Sequence, residues 1–180
     1  RLSLLTPQTV SLIVANLANG DVIGHTTSRE AKMRCAELVD ARLGQIVRAA
    51  LAAGYAVLVT ADHGNLEEMA SAGGTPHVAH TANPVPFLLL DPQAAAPVAV
   101  RDGRLADVAP TVLQALGLTQ PPAMDGASLA PEHAWGGPRQ VLLLILDGWG
   151  IGRADETNPI HLAPTPVWDE LTRRYGYARL

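Results

Sequence analysis

Three acids and three histidines of this 180-residue chain sit where chemistry is done, just beyond short apolar runs. Asp21 and His25 follow the run at residues 10–14 (VSLIV), Asp62 and His63 follow residues 56–60, and Asp147 follows residues 141–146. His80 stands shortly before a further apolar run at 86–90, with His77 three positions ahead of it. Carboxylates and imidazoles are the donors expected around Mn²⁺, Co²⁺ or Zn²⁺. Six such ligands suffice for two ions, and two ions a few ångströms apart can clamp the attacking and leaving oxygens of a phosphoryl group. Each residue alone has a plainer reading. Asp-Gly after a strand is ordinary turn chemistry, as at Asp147-Gly148, and a single histidine is usually structural. His77, His133 and His161 are left to such roles. The signal is convergence: loops at the carboxyl ends of strands in an open α/β sheet gather on one edge, where ligands bind.

The elements that would do this positioning are legible from periodicity. Residues 10–14, 56–60, 86–90 and 141–146 have the length and composition of buried strands. A helix begins near Thr27, which has capping-box spacing with Glu30. It places Cys35, Val39, Leu43, Ile46, Val47 and Ala50 on one face and stops at Gly54. A second amphipathic helix spans 105–116 and closes at Gly117, and a third runs from about residue 165 to 174 with Pro166 in its first turn. Periodicity vanishes between 119 and 138, where Pro121, Pro122, Pro131, Gly136, Gly137 and Pro138 mark a linker or surface loop. Strands alternating with helices predict an α/β fold, an open, mostly parallel sheet flanked by helices.

Composition narrows the function class. The formal charge of −4 leaves no basic footprint, so nucleic acid is not an expected partner. No apolar run is long enough for a membrane span and the sequence opens without a signal-peptide pattern. A single cysteine, Cys35, excludes an internal disulfide framework and fits a reducing compartment, so the expected location is the cytoplasm.

Several segments resemble one family. Ala61-Asp62-His63-Gly64-Asn65, followed by His80-Thr81-Ala82-Asn83-Pro84-Val85-Pro86-Phe87, is similar to the metal-binding core of the cofactor-independent phosphoglycerate mutases of the alkaline-phosphatase superfamily. Asn19-Gly20-Asp21-Val22-Ile23-Gly24-His25-Thr26 resembles the same family's earlier segment. Leu105-Ala106-Asp107-Val108-Ala109-Pro110-Thr111 and Met124-Asp125-Gly126-Ala127-Ser128-Leu129 resemble its carboxy-terminal end. Residues 142–150 (LLLILDGWG), with Asn158 and Thr165-Pro166 behind them, resemble its amino-terminal strand. The resemblance implies an alkaline-phosphatase-like sheet and two divalent ions, Mn²⁺ foremost with Co²⁺ or Zn²⁺ as alternatives. One ion would be held by Asp21, His25 and His80, the other by Asp62, His63 and Asp147. It also implies interconversion of 3- and 2-phosphoglycerate through a phosphoserine.

Two departures accompany the match. The family's carboxy-terminal segment comes first (1–129) and its amino-terminal strand last (140–180), joined by residues 130–139, as in a circular permutation that leaves one structural domain. The sequence also ends just before the place of the family's nucleophile motif, Gly-Asn-Ser-Glu-Val-Gly-His, and no serine here has that context. The catalytic residue is therefore unassigned, and the nucleophile and substrate domain are expected on a complementary chain or segment. On this reading the isolated chain is inactive as a mutase. The alternatives are a stand-alone metal-dependent phosphohydrolase, in which metal-activated water replaces the serine and another phosphomonoester is the substrate, and a non-catalytic metal-binding remnant.

Overall fold

A computed structural model describes residues 10–71, 73–175 and 177–180. The first of the expected strands forms as β1 (Leu12–Leu17), beginning two residues later than the apolar run and continuing through Leu17 because Ile13, Ala15 and Leu17 alternate toward the core. A six-residue helix, α1 (Asn19–Gly24), follows, where the sequence reads as a turn. Helix α2 (Arg29–Ala52) takes Ser28 as its cap, one residue beyond Thr27: the Ser28 hydroxyl accepts from the amide of Ala31 at 3.2 Å. It ends as expected, Gly54 taking φ +84° just past the last turn.

Strands β2 (Ala56–Thr60) and β3 (Pro86–Leu90) occupy the expected residues, and every position in both is buried. The segment from 105 opens with a 3₁₀ turn (Leu105–Asp107) and continues as α3 (Val108–Leu116), which closes on Gly117 at φ +69°. β4 (Val141–Leu146), α4 (Pro159–Leu162), α5 (Pro166–Tyr175) and the two-residue β5 (Ala178–Arg179) complete the chain.

The five strands form one open sheet in the order β1-β4-β2-β3-β5. β4 pairs in parallel with both β1 and β2, so the last long strand of the sequence lies inside the sheet. β3 runs against its neighbours β2 and β5. Four strands thus point one way and β3 the other, giving a mixed, mostly parallel sheet flanked by helices. Its two faces bury separate clusters. Cys35, Val39, Leu43, Val47 and Ala50 of α2 pack with Val57, Val59, Leu142 and Leu144 on one face. Leu58, Phe87, Leu89 and Val141 pack with Val108, Val112 and Ala115 of α3 on the other. Removing such side chains from water is worth up to ~1.5–3 kcal/mol each and holds the sheet as a rigid platform.

The Pro/Gly-rich stretch folds down on the sheet instead of standing free. Trp135 is buried in the second cluster, and the Arg139 amide donates to the carbonyl of Ala115 at 2.7 Å. His133 Nε2 meets the buried Asp91 carboxylate at 3.1 Å and Arg139 Nε approaches it at 3.6 Å. With Leu129 and Ala130, also buried in the second cluster, Trp135 is one of three scattered apolar anchors in an aperiodic stretch, and these leave little trace in periodicity. Among the described residues no helix is long and apolar enough to cross a membrane.

Candidate metal centre

All six ligand candidates arrive at one edge of the sheet. Asp62 and His63 follow β2, and Asp147 follows β4, at the carboxyl ends of two parallel strands. Asp21 lies on α1 and His25 caps its end, both just beyond the carboxyl end of β1. His80 precedes β3, and the antiparallel run of that strand is what brings its amino-terminal side to the same edge. A bridge between Gly64 and Thr81 fastens the His80 segment to the loop carrying His63, with the Thr81 amide donating to the Gly64 carbonyl at 2.9 Å.

Glycines allow the close approach of α1. A Cβ on Gly20 would strike the Asp147 carbonyl oxygen, and one on Gly148, which takes φ +75°, would come within 2.7 Å of the Asp21 amide. These contacts set Asp21 beside Asp147 and explain why a run of turn-forming residues becomes a docked helix.

The ligand atoms interlock. Asp21 Oδ1 stands 3.1 Å from His25 Nε2 and 3.1 Å from His80 Nε2. His63 Nε2 lies 3.7 Å from Asp62 Oδ2 and 3.5 Å from Asp147 Oδ1. The rings of His63 and His80 stack with centroids 3.8 Å apart. Two sets have all their ligand atoms within 4.8 Å of one another: Asp21 with His63 and His80, and Asp62 with His63 and Asp147. The second coincides with an expected triad. In the first, His63 stands where the resemblance implies His25, which joins the group through Asp21. His77 contributes through its backbone instead, its carbonyl accepting from Lys32 Nζ at 2.7 Å.

Two asparagines that the sequence reading did not single out as site residues hold the acids. Asn65 Nδ2 donates to Asp21 Oδ1 at 2.9 Å and Asn16 Nδ2 donates to Asp147 Oδ2 at 3.0 Å. Asn65 belongs to the Asp-His-Gly-Asn motif, which could have marked it; Asn16 lies 131 positions from its partner and left no such signal. Burial pulls the Asp21 carboxyl upward, but the Asn65 hydrogen bond and the charges of His25, His80 and His63 outweigh it and leave its pKa below the ordinary value. For Asp147 the balance goes the other way. Burial raises its pKa and the neighbouring Asp62 and Asp21 add to that, against the opposing pull of Asn16 and His63.

The donor set fits divalent cations. Among the described residues the ion pairs of Asp21, Asp62 and Asp147 are all with histidines, so no lysine or arginine offsets the acids. His25 supplies the sharpest test. Its Nδ1 lies 2.8 Å from the carbonyl oxygen of Val78, which can only accept, so Nδ1 carries the proton. In the neutral ring Nε2 then presents a lone pair to the Asp21 carboxylate. Two acceptors 3.1 Å apart need a proton or a cation between them. Backbone-held imidazoles with the second nitrogen free are the usual arrangement of metal-bound histidines.

The comparisons with known proteins agree with this donor chemistry. The sequence profile of the Metalloenzyme superfamily matches residues 2–120 and 139–178. The 2,3-bisphosphoglycerate-independent phosphoglycerate mutase of Syntrophotalea carbinolica is 52% identical over 118 residues, covering 66% of this chain and 23% of the relative. Those of Desulforudis audaxviator and Rhodopirellula baltica are 50% and 49% identical, over 66% of this chain and 23% and 22% of their own lengths. The chain therefore spans about a quarter of the curated relatives it matches. With the profile matching on both sides of the Pro/Gly-rich stretch, the chain belongs to the Metalloenzyme superfamily.

Proposed function

We propose that this chain supplies the metal centre of a phosphoglycerate mutase, working in the cytoplasm with two Mn²⁺ ions. Asp21, His25 and His80 would hold one ion and Asp62, His63 and Asp147 the other. The observation that carries the reading is the convergence of His25 Nε2 and His80 Nε2 on Asp21 Oδ1, each at 3.1 Å, with no lysine or arginine beside them among the described residues, an arrangement that a divalent cation would fit. Divalent ions there would neutralise phosphoryl charge and lower the pKa of an attacking hydroxyl. The chain's own residues hold and orient: Asn65 and Asn16 aim the Asp21 and Asp147 carboxylates, and the Val78 carbonyl fixes the His25 tautomer.

The serine that would take up the phosphoryl group and return it to the other hydroxyl of phosphoglycerate is assigned to the portion of the relatives that this chain does not span. So is the domain that grips the substrate. The exposure of His25, Asp62 and His80 supports this, since the centre lies open on the surface for a complementary chain or segment to cover. The segment order is read as a circular permutation, with residues 130–139 joining 1–129 to 140–180. The inner place of β4, which unites the two parts in one sheet, supports it.

The test is an assay of the 180-residue chain with Mn²⁺ and 3-phosphoglycerate, alone and mixed with the remainder of a relative carrying the serine and substrate domain. Turnover is expected only in the mixture. Mutase turnover by the chain alone, or no Mn²⁺ bound at equilibrium, overturns the reading. Phosphate release from a generic monoester by the chain alone would identify a phosphohydrolase instead.

A further inference from the structure

The most heavily bonded carboxylate of the described residues is not a ligand. Glu67 lies four residues past His63 and is only 1% exposed. One of its oxygens, Oε2, accepts from the amide of Asn65 at 2.8 Å and from the amide of Gly150 at 3.0 Å. The other, Oε1, accepts from the hydroxyl of Thr81 and from Asn83 Nδ2, the latter at 2.9 Å. Four donors therefore converge on one buried carboxylate, and they come from three different segments. Asn65 belongs to the loop bearing Asp62 and His63, Thr81 follows His80 directly, and Gly150 closes the turn that begins at Asp147.

The surrounding sequence is shaped to admit this side chain. A Cβ on Gly64 or on Gly150 would collide with the Glu67 carboxylate, and one on Gly152 would come within 2.7 Å of the Glu67 carbonyl oxygen. A counter-charge lies nearby: burial lowers the pKa of Lys32, while the charge of Glu67 favours the lysine's charged form. Hydrogen bonds to a buried charged group are stronger than neutral ones, and an unpaired buried charge is costly. Glu67 therefore keeps the three loops in register.

We propose that Glu67 is a positioning residue for the metal centre, fixing the loops of His63, His80 and Asp147 relative to one another without touching an ion. The proposal rests on the metal-centre reading above. Glutamine is a pointed substitution, because it keeps the shape but offers one accepting oxygen. Its NH₂ group then faces either the two backbone amides, which cannot accept, or Asn83 and Thr81, which accept it only once the Asn83 amide flips and the Thr81 hydroxyl turns, and the charge is lost in both cases.

The test is Mn²⁺ titration of the full chain, followed by calorimetry and by electron paramagnetic resonance, for wild type, E67Q and the neighbouring control E68Q. Partners behind metal ligands typically change affinity by about 10–100-fold. E67Q is expected to weaken Mn²⁺ binding by about that factor and to diminish the spin-coupled signal of paired ions, with its circular dichroism unchanged, while E68Q binds as wild type does. Should E67Q fail to fold, T81V and N83A remove single donors from the same carboxylate and are expected to weaken binding several-fold. Wild-type Mn²⁺ affinity and an unaltered coupled signal in E67Q, or in both T81V and N83A, would overturn the positioning role and leave the metal centre standing. Absence of Mn²⁺ binding in wild type would overturn both.

Discussion

Replacing Asp147 with asparagine separates metal binding from folding, because the two are expected to respond in opposite directions. The ligand oxygens of Asp62 and Asp147 lie within 4.8 Å of each other. Two unit charges at that distance repel by about 1 kcal/mol in bulk water and about 3.5 kcal/mol at an effective dielectric near 20. The Asp62 side chain is 43% exposed and that of Asp147 17%, which places the pair toward the watery limit. The asparagine amide would keep an oxygen for Asn16 Nδ2, lose the charge and turn its NH₂ toward His63, whose Nε2 lies 3.5 Å from the other oxygen of Asp147. In EDTA, D147N is therefore expected to unfold at higher urea, stabilised by about 1 kcal/mol at neutral pH. The sign follows from the pKa of Asp147, which folding raises. The folded state binds that proton more tightly, so the wild-type penalty appears as pH rises through the folded value and vanishes below the ordinary carboxylate value. The gain in D147N should fade in acid accordingly. Saturating Mn²⁺ should reverse the order. A ligand at 100 times its Kd adds about 2.7 kcal/mol to the wild type, and the variant forfeits most of the share owed to its site. Urea melts with EDTA and with Mn²⁺, at neutral pH and near pH 4, decide the matter. A D147N protein less stable than wild type in EDTA, with undiminished stabilisation by Mn²⁺, would refute the reasoning.

Three further substitutions or reactions probe the same framework. N65A removes the hydrogen bond that helps hold the Asp21 pKa low, a contribution present above the ordinary carboxylate value and lost as pH falls through the folded one. Urea melts should show a loss of about 1–2 kcal/mol at neutral pH that shrinks in acid; a pH-independent loss would point to packing alone. G148A forces a Cβ to within 2.7 Å of the Asp21 amide at φ +75° and should cost well over ~1–2 kcal/mol together with Mn²⁺ binding, read by thermal melting and titration. Burial pushes the Cys35 thiol up to about 11, so iodoacetamide at pH 8 should alkylate it far more slowly in the folded chain than in urea, as followed by mass spectrometry.

How much of this was legible beforehand depends on the range of the interaction. The strands at 56–60, 86–90 and 141–146 stand at the expected residues because their β-branched and leucine-rich runs are bounded by Gly, Pro and Asp, a local signal. The gathering of Asp21, His25, Asp62, His63, His80 and Asp147 at one edge was readable from their places beside strands. The direction of β3 was not, since a fully buried strand has the same composition whichever way it runs. Helix α1 was hidden for a related reason: Asn19-Gly20-Asp21 favours a turn by itself, and only docking against Gly148 makes it a helix. Asn16, Asn65 and Glu67 act through partners up to 131 positions away, and no spacing rule reports such contacts.

The same range of interaction ties residues 10–90 to residues 141–146 through strand pairing. Among the described residues β1 pairs only with β4, and β4 is also the parallel neighbour of β2. Without residues 141–146, then, the edge strand has nothing to pair with and β2 loses one whole ladder. Leu142 and Leu144 would leave the cluster beneath α2, opening cavities of the kind that cost about 2–5 kcal/mol per leucine. The candidate metal centre is divided in the same way: Asp147 comes from the later part and the other five candidates from the earlier. Of its two candidate ligand sets, the second contains Asp147 and is therefore incomplete until β4 is in place. If that set holds a divalent ion, binding is expected to report on folding and to stabilise the chain by linking the parts of its sheet.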